Sequence, residues 1–182
     1  MTATIQGTPH PTPAGAGLRT ATLAGATVAT GLVAGLFSAF SCAVNLGLAT
    51  QPDAGYVTTM QAINRRIQNP IFFAGFFGAA CLLLLALLLY LPRRRSARFP
   101  LLALACALYL GGGILLTVVG NVPLNERLDA VAADATPDEL ARARAAYEGP
   151  WNAWHTARTA ASTLAFVALV AACLLPDDRG AE

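Results

Sequence analysis

IFFAGFFGAACLLLLALLLYL, residues 71–91, carries no charged side chain from end to end. Roughly 20 predominantly apolar residues cross the hydrocarbon core of a bilayer, so this stretch reads as a membrane-spanning helix and decides the class of fold. Working outward, three more stretches qualify, at residues 20–48, 101–119 and 154–175. The first is rich in Ala, Gly and Thr, yet far longer than the roughly 7–15-residue apolar region of a signal peptide, and is read as a span. Composition agrees: the 182 residues are 55% hydrophobic and 12% charged, against about 25% charged in soluble domains, and the mean hydropathy is +0.55. The expectation is an all-α integral membrane four-helix bundle. Its transmembrane domain covers residues 18–176, between a disordered Pro/Gly/Thr-rich tail at 1–17 and a short cytoplasmic tail at 177–182.

Charge sets the orientation. All twelve basic residues are arginine and the net charge is only +2, with no basic stretch interleaved with aromatics, which speaks against nucleic acid. Arg93, Arg94, Arg95 and Arg98 crowd the connection LPRRRSARF at 91–99. Positive-inside reasoning puts that loop and both termini in the cytoplasm of a plasma-membrane protein. The two opposite connections each hold a capping pattern. Thr58 to Gln61 opens a short helix whose apolar face is Met60, Ile63 and Ile67, with Asn64 on the same face; Asn69-Pro70 ends it. Thr136-Pro137-Asp138-Glu139 opens a second helix, which Gly149-Pro150 breaks before Trp151. Two short extracytoplasmic helices thus cap one mouth of the bundle.

Under that cap the polar residues converge. Trp151, Trp154, His155 and Arg158 in WNAWHTAR fall on one helix face at the entrance to the fourth span. With alternating topology, Asn64, Asn121, Asn125 and Glu126 lie at the same bilayer surface. Ionisable groups at membrane depth are costly and usually face a cavity. Simpler roles exist for each: an interfacial belt for the tryptophans, snorkelling for Arg158, a structural hydrogen bond for His155, and capping of the third span for Asn121 and Asn125. Gly31, Gly35 and Gly111 to Gly113 suit close helix packing. Cys42, Cys81, Cys106 and Cys173 lie in apolar spans without a close pair and read as small buried hydrophobes.

MQAINRRIQNP at 60–70, GNVPLNERL at 120–128 and WNAWHTAR at 151–158 together resemble the DUF1772 or anthrone oxygenase-like family, a resemblance that extends from about residue 35 to 175. The resemblance implies a four-span membrane oxidoreductase of oxygenase type. Fungal relatives are associated with oxidation of anthrones to anthraquinones in the secondary metabolism of polyketides. His155 then suits a general base, and Arg158, Asn121 and Asn125 stabilise the resulting anion. Trp151, Trp154 and Asn64 would hold the aromatic substrate, with dioxygen as co-substrate. No nucleotide-binding motif is present. A two-His iron site is not supplied, although iron or copper held by His155 with Glu126, Asp129 or Glu148 stays open beside cofactor-free chemistry. The alternative function is a non-enzymic membrane protein that binds a lipid or small hydrophobic ligand.

Overall fold

The computed structural model describes residues 14–176; the rest of both expected tails lies outside the described residues. The first rod begins inside the expected tail as α1 (Ala14–Ala39), continues through a π-helical stretch, Phe40–Val44, and ends as α2 (Asn45–Ala49). Then follow α3 (Asp53–Arg66), α4 (Pro70–Tyr90) and α5 (Arg98–Ala107). The rod of α5 runs on through π-helical segments at Leu108–Leu115 and Thr117–Asn121 into α6 (Val122–Asp129), and α7 (Pro137–Leu174) completes the chain. Four helical rods, at Gly15–Ala49, Pro70–Arg93, Arg98–Asp129 and Pro137–Leu174, are long and apolar enough to cross a membrane.

The bundle core is built from small and branched side chains, including Leu23, Ala26, Ala79, Leu83, Ala86, Leu102, Ala105, Leu169 and Ala172. The small residues let backbones approach. A Cβ at Gly112 would lie 2.1 Å from the Ala161 Cβ, so only glycine fits this crossing. At Gly35 and Gly111, by contrast, an added Cβ would meet nothing within 4 Å among the described residues. Cys106 is buried, but Cys42, Cys81 and Cys173 are exposed on the helix surfaces rather than inside the core.

One end of the bundle carries a second cluster, Leu48, Tyr56, Val57, Met60, Leu128, Tyr147 and Trp151, which joins α3, α6 and the first half of α7. Local chemistry explains two of its boundaries. Asn69 Oδ1 accepts from the Ile71 and Phe72 N–H groups at 3.1 and 3.0 Å, with Pro70 at the first helical position. Thr136 and Glu139 form the expected reciprocal capping box.

Two expectations are corrected here. Thr58 to Gln61 is not a helix start: α3 begins at Asp53, and Gln61 instead donates to the Leu128 and Val131 carbonyls at 2.9 and 3.1 Å, tying α3 to α6. Gly149-Pro150 does not break the last helix either, since α7 passes through it. Proline forfeits one backbone bond and disfavours a helix. Tyr147 and Trp151, one helical turn apart with Gly149-Pro150 between them, are both buried in the end cluster and stack at 6.0 Å. That packing fixes the helical path.

Candidate functional site

Because α7 is continuous, Tyr147, Trp151, His155 and Arg158 lie on one buried face of a single rod. The Trp151 indole stacks on the His155 ring at 4.8 Å and 11°. Arg158 Nε and Nη2 donate to His155 Nδ1 at 3.1 and 2.9 Å. A guanidinium has only donors, so Nδ1 must accept; the imidazole is neutral and its proton sits on Nε2. Nε2 donates to the Phe37 carbonyl at 3.2 Å. Arg158 also donates to Thr117 Oγ1 at 3.1 Å and lies over the Phe37 ring at 4.4 Å. Its partners are all uncharged. No carboxylate ion-pairs with it among the described residues, although it is only 8% exposed.

At this end α3, α6 and the first half of the continuous α7, rather than two separate short helices, form the cap and supply a second set of contacts. Asn125 Oδ1 accepts from the Tyr147 hydroxyl and from Trp151 Nε1, both at 2.8 Å. Asn64 Nδ2 donates to the same Tyr147 hydroxyl at 3.2 Å. Three elements are thereby fixed around Trp151: α3 through Asn64, α6 through Asn125 and α7 through Tyr147.

These groups border a cavity of about 360 Å³, within the range of small-molecule sites. Its inner wall is Phe37, Phe76, Trp151, His155 and Arg158, and its cap side includes Asn64, Asn125 and Glu126. The Arg65–Asp129 ion pair, 2.8 Å, stands at the rim, where both side chains are well exposed.

The expected residues therefore separate. His155, Arg158, Asn125, Asn64, Trp151 and Glu126 border one cavity. Asn121 is fully buried behind it, its amide donating to the Trp151 carbonyl at 3.2 Å while Oδ1 has no partner among the described residues. Trp154 is 38% exposed and faces away from the cavity; a Cβ at Gly120 would lie 2.4 Å from its ring. Glu148 pairs with Arg144 at 2.7 Å and does not border the cavity. The described residues hold no group of three or more His, Cys, Asp or Glu arranged for a metal. Both His155 nitrogens are already engaged, so ligation there requires breaking one of those bonds.

Residues 70–168, more than half of the chain, match the family model described as anthrone oxygenase. The chain belongs to the anthrone oxygenase family. The matched region runs from the start of α4 into the last span and holds Asn125, Tyr147, Trp151, His155 and Arg158, whereas Phe37 and Asn64 precede it. Membership supports an oxygenase-like function in the membrane. Comparisons with curated proteins and with solved structures found no match. Tyr147, Thr117 and the Phe37 carbonyl are site groups that sequence reasoning missed. Tyr147 was legible as the residue one turn before Trp151, had the helix been read through Pro150.

Proposed function

We propose that this anthrone oxygenase family protein is a membrane-embedded oxidoreductase that uses dioxygen to oxidise a hydrophobic, anthrone-like aromatic bound in the cavity. One observation carries the reading: Arg158 is a buried cation at the cavity wall whose protein partners are all neutral. Such a charge is costly at membrane depth and is relieved by an anion. An anthrone supplies one when its activated C–H or the enol O–H is deprotonated.

His155 Nδ1 is the proton acceptor in this scheme. As the proton arrives, Arg158 turns from Nδ1 to the anion, and the ion triplet keeps the two cations from facing each other unshielded. The anion passes its electrons to dioxygen, and the carbon-bound peroxide anion takes the proton back from the His155 imidazolium to give a carbon hydroperoxide. Loss of water then leaves one oxygen as the new carbonyl and the other in the water released. Asn125 and Tyr147 hold Trp151, and Trp151 holds the imidazole by stacking; these are positioning residues.

By the positive-inside argument the Arg93–Arg98 loop is cytoplasmic, so the cap and cavity sit at the extracytoplasmic side of the plasma membrane. The test is anthrone-dependent oxygen uptake by the reconstituted protein, with and without a strong chelator. The reading expects uptake in both, and loss in His155→Gln with ligand binding kept. A second reading follows from the covered Nδ1 lone pair: a neutral His155 locked to Arg158 also suits a protein that only binds an anionic aromatic. No oxygen uptake, with binding weakened in His155→Gln, selects that reading.

A further inference from the structure

The aromatic side chains of α4 form two ladders. Phe72 and Phe76 stack at 5.3 Å and 14°, and Phe73 and Phe77 stack at 5.8 Å and 26°. The inner ladder is in contact with the site: Phe76 meets Phe37 at 6.3 Å, and Phe37 meets the His155 ring at 5.9 Å and the Arg158 guanidinium at 4.4 Å. The outer ladder is on the surface. Phe73 and Phe77 are exposed, as are Val118 and Val122 across the cavity from them, and all four border the cavity.

Hydrogen bonds show where the second and third rods are joined. Cys106 Sγ reaches the Leu83 carbonyl at 3.5 Å and the Tyr109 hydroxyl donates to the Phe76 carbonyl at 2.9 Å. From Phe76 towards the cap, the cavity lies between α4 and the Thr117–Val122 stretch. Phe77 is seven residues into α4, about 10 Å along the helix axis from its start. With the bilayer surface taken at the start of the apolar α4, the exposed rim lies within the acyl region.

We propose that the cavity opens sideways to the bilayer between α4 and the Thr117–Val122 stretch. Through this portal a planar aromatic molecule with one ionisable hydroxyl or acidic C–H, dissolved in the lipid, reaches Arg158. The occupant is argued from a ring-lined path that ends at a cation. An acyl chain would use the apolar walls but leave Arg158 without a counter-charge. The portal deepens the reading of the site above and rests on it for the class of molecule.

The chain has two tryptophans, one on the cavity wall and one facing out, which makes the test independent of turnover. In Trp154→Phe, or Trp154→Tyr should the first fail to fold, Trp151 is the sole indole. A nitroxide-labelled alkane confined to the bilayer should quench Trp151 in reconstituted vesicles, while aqueous acrylamide should not. Val118→Phe and Val122→Phe, which narrow the rim from the lipid side, should each cut alkane quenching at least threefold. Quenching by acrylamide alone, by neither agent, or unchanged by both rim variants would overturn the portal. Alkane quenching in a protein that takes up no oxygen would keep the portal and reject the oxidase reading.

Discussion

Two arginines are equally buried at opposite ends of this bundle, and their surroundings differ. Arg98 and Arg158 are each 8% exposed. Arg98 donates to the Tyr90 hydroxyl at 3.1 Å and to the Leu175 carbonyl at 2.6 Å, clamping the ends of the second and last rods to the start of the third. No cavity meets it. Arg158 donates to an imidazole and a threonine hydroxyl and forms part of a cavity wall. Burial of a charge thus does not mark a site by itself. What makes Arg158 the candidate is open space beside a guanidinium whose partners among the described residues are all neutral.

The contrast predicts its own largest test. Arg158→Gln should lower anthrone-dependent oxygen uptake by about 100-fold or more, the loss typical of removing one anion-stabilising donor, with little change in thermal stability. Arg98→Gln should do the reverse, costing about 2 kcal/mol for its charge-assisted bonds while uptake by the folded fraction stays within twofold. If the two phenotypes are alike, the distinction between clamp and site is wrong.

Next in size is the amide that orders the cap. Asn125→Ala removes the acceptor shared by Tyr147 and Trp151, and each buried donor left unsatisfied costs about 1–3 kcal/mol. The expected result is a lower melting temperature together with slower uptake, because Trp151 no longer holds His155. Stability loss with full uptake per folded molecule would separate the cap from the chemistry.

Two glycines give a smaller, paired test. Gly120→Ala places a Cβ 2.4 Å from the rigid Trp154 ring, whereas Gly111→Ala meets nothing within 4 Å. Overpacking of the first kind costs about 1–3 kcal/mol, and the second should be neutral or slightly stabilising. Equal melting temperatures would contradict the Trp154 packing.

The smallest effect is pH-dependent. Burial, with help from Glu148 and against Arg144, pushes the Tyr56 hydroxyl in α3 up to about 12. The unfolded chain ionises near 10, so the stability tied to neutral Tyr56 is full below pH 10 and is lost as pH rises towards 12. Tyr56→Phe should flatten the decline in thermal stability across that window.

Much of the fold was legible because lipid imposes it. A helix without charge across residues 71–91 leaves the backbone no other way to satisfy itself. Thr136 with Glu139 and Asn69 with Pro70 marked their helix starts by side-chain chemistry that is local in sequence. The misreadings came where tertiary contacts outweigh local preference. Pro150 signals a break, but Tyr147 and Trp151 packing keeps α7 whole; Thr58 to Gln61 has the form of a cap, but Gln61 is spent on α6. The candidate site was legible only as a convergence of His155, Arg158, Asn64 and Asn125 at one end, where they border one cavity. Helical spacing alone did not separate Trp151, which faces in, from Trp154, which faces out. Nor does the sequence show that the Phe37 carbonyl, more than a hundred residues away, fixes the tautomer of His155.

The central claim is that Arg158 waits for an anion. Spectrophotometric titration of a hydroxyanthrone bound to the reconstituted protein tests it most directly, since neutral and ionised forms absorb differently. Bound to the wild type, the probe should ionise at least one pH unit lower than in protein-free bilayers, and this shift should vanish in Arg158→Gln. Ionisation at the same pH in wild type, variant and empty bilayers would contradict the account.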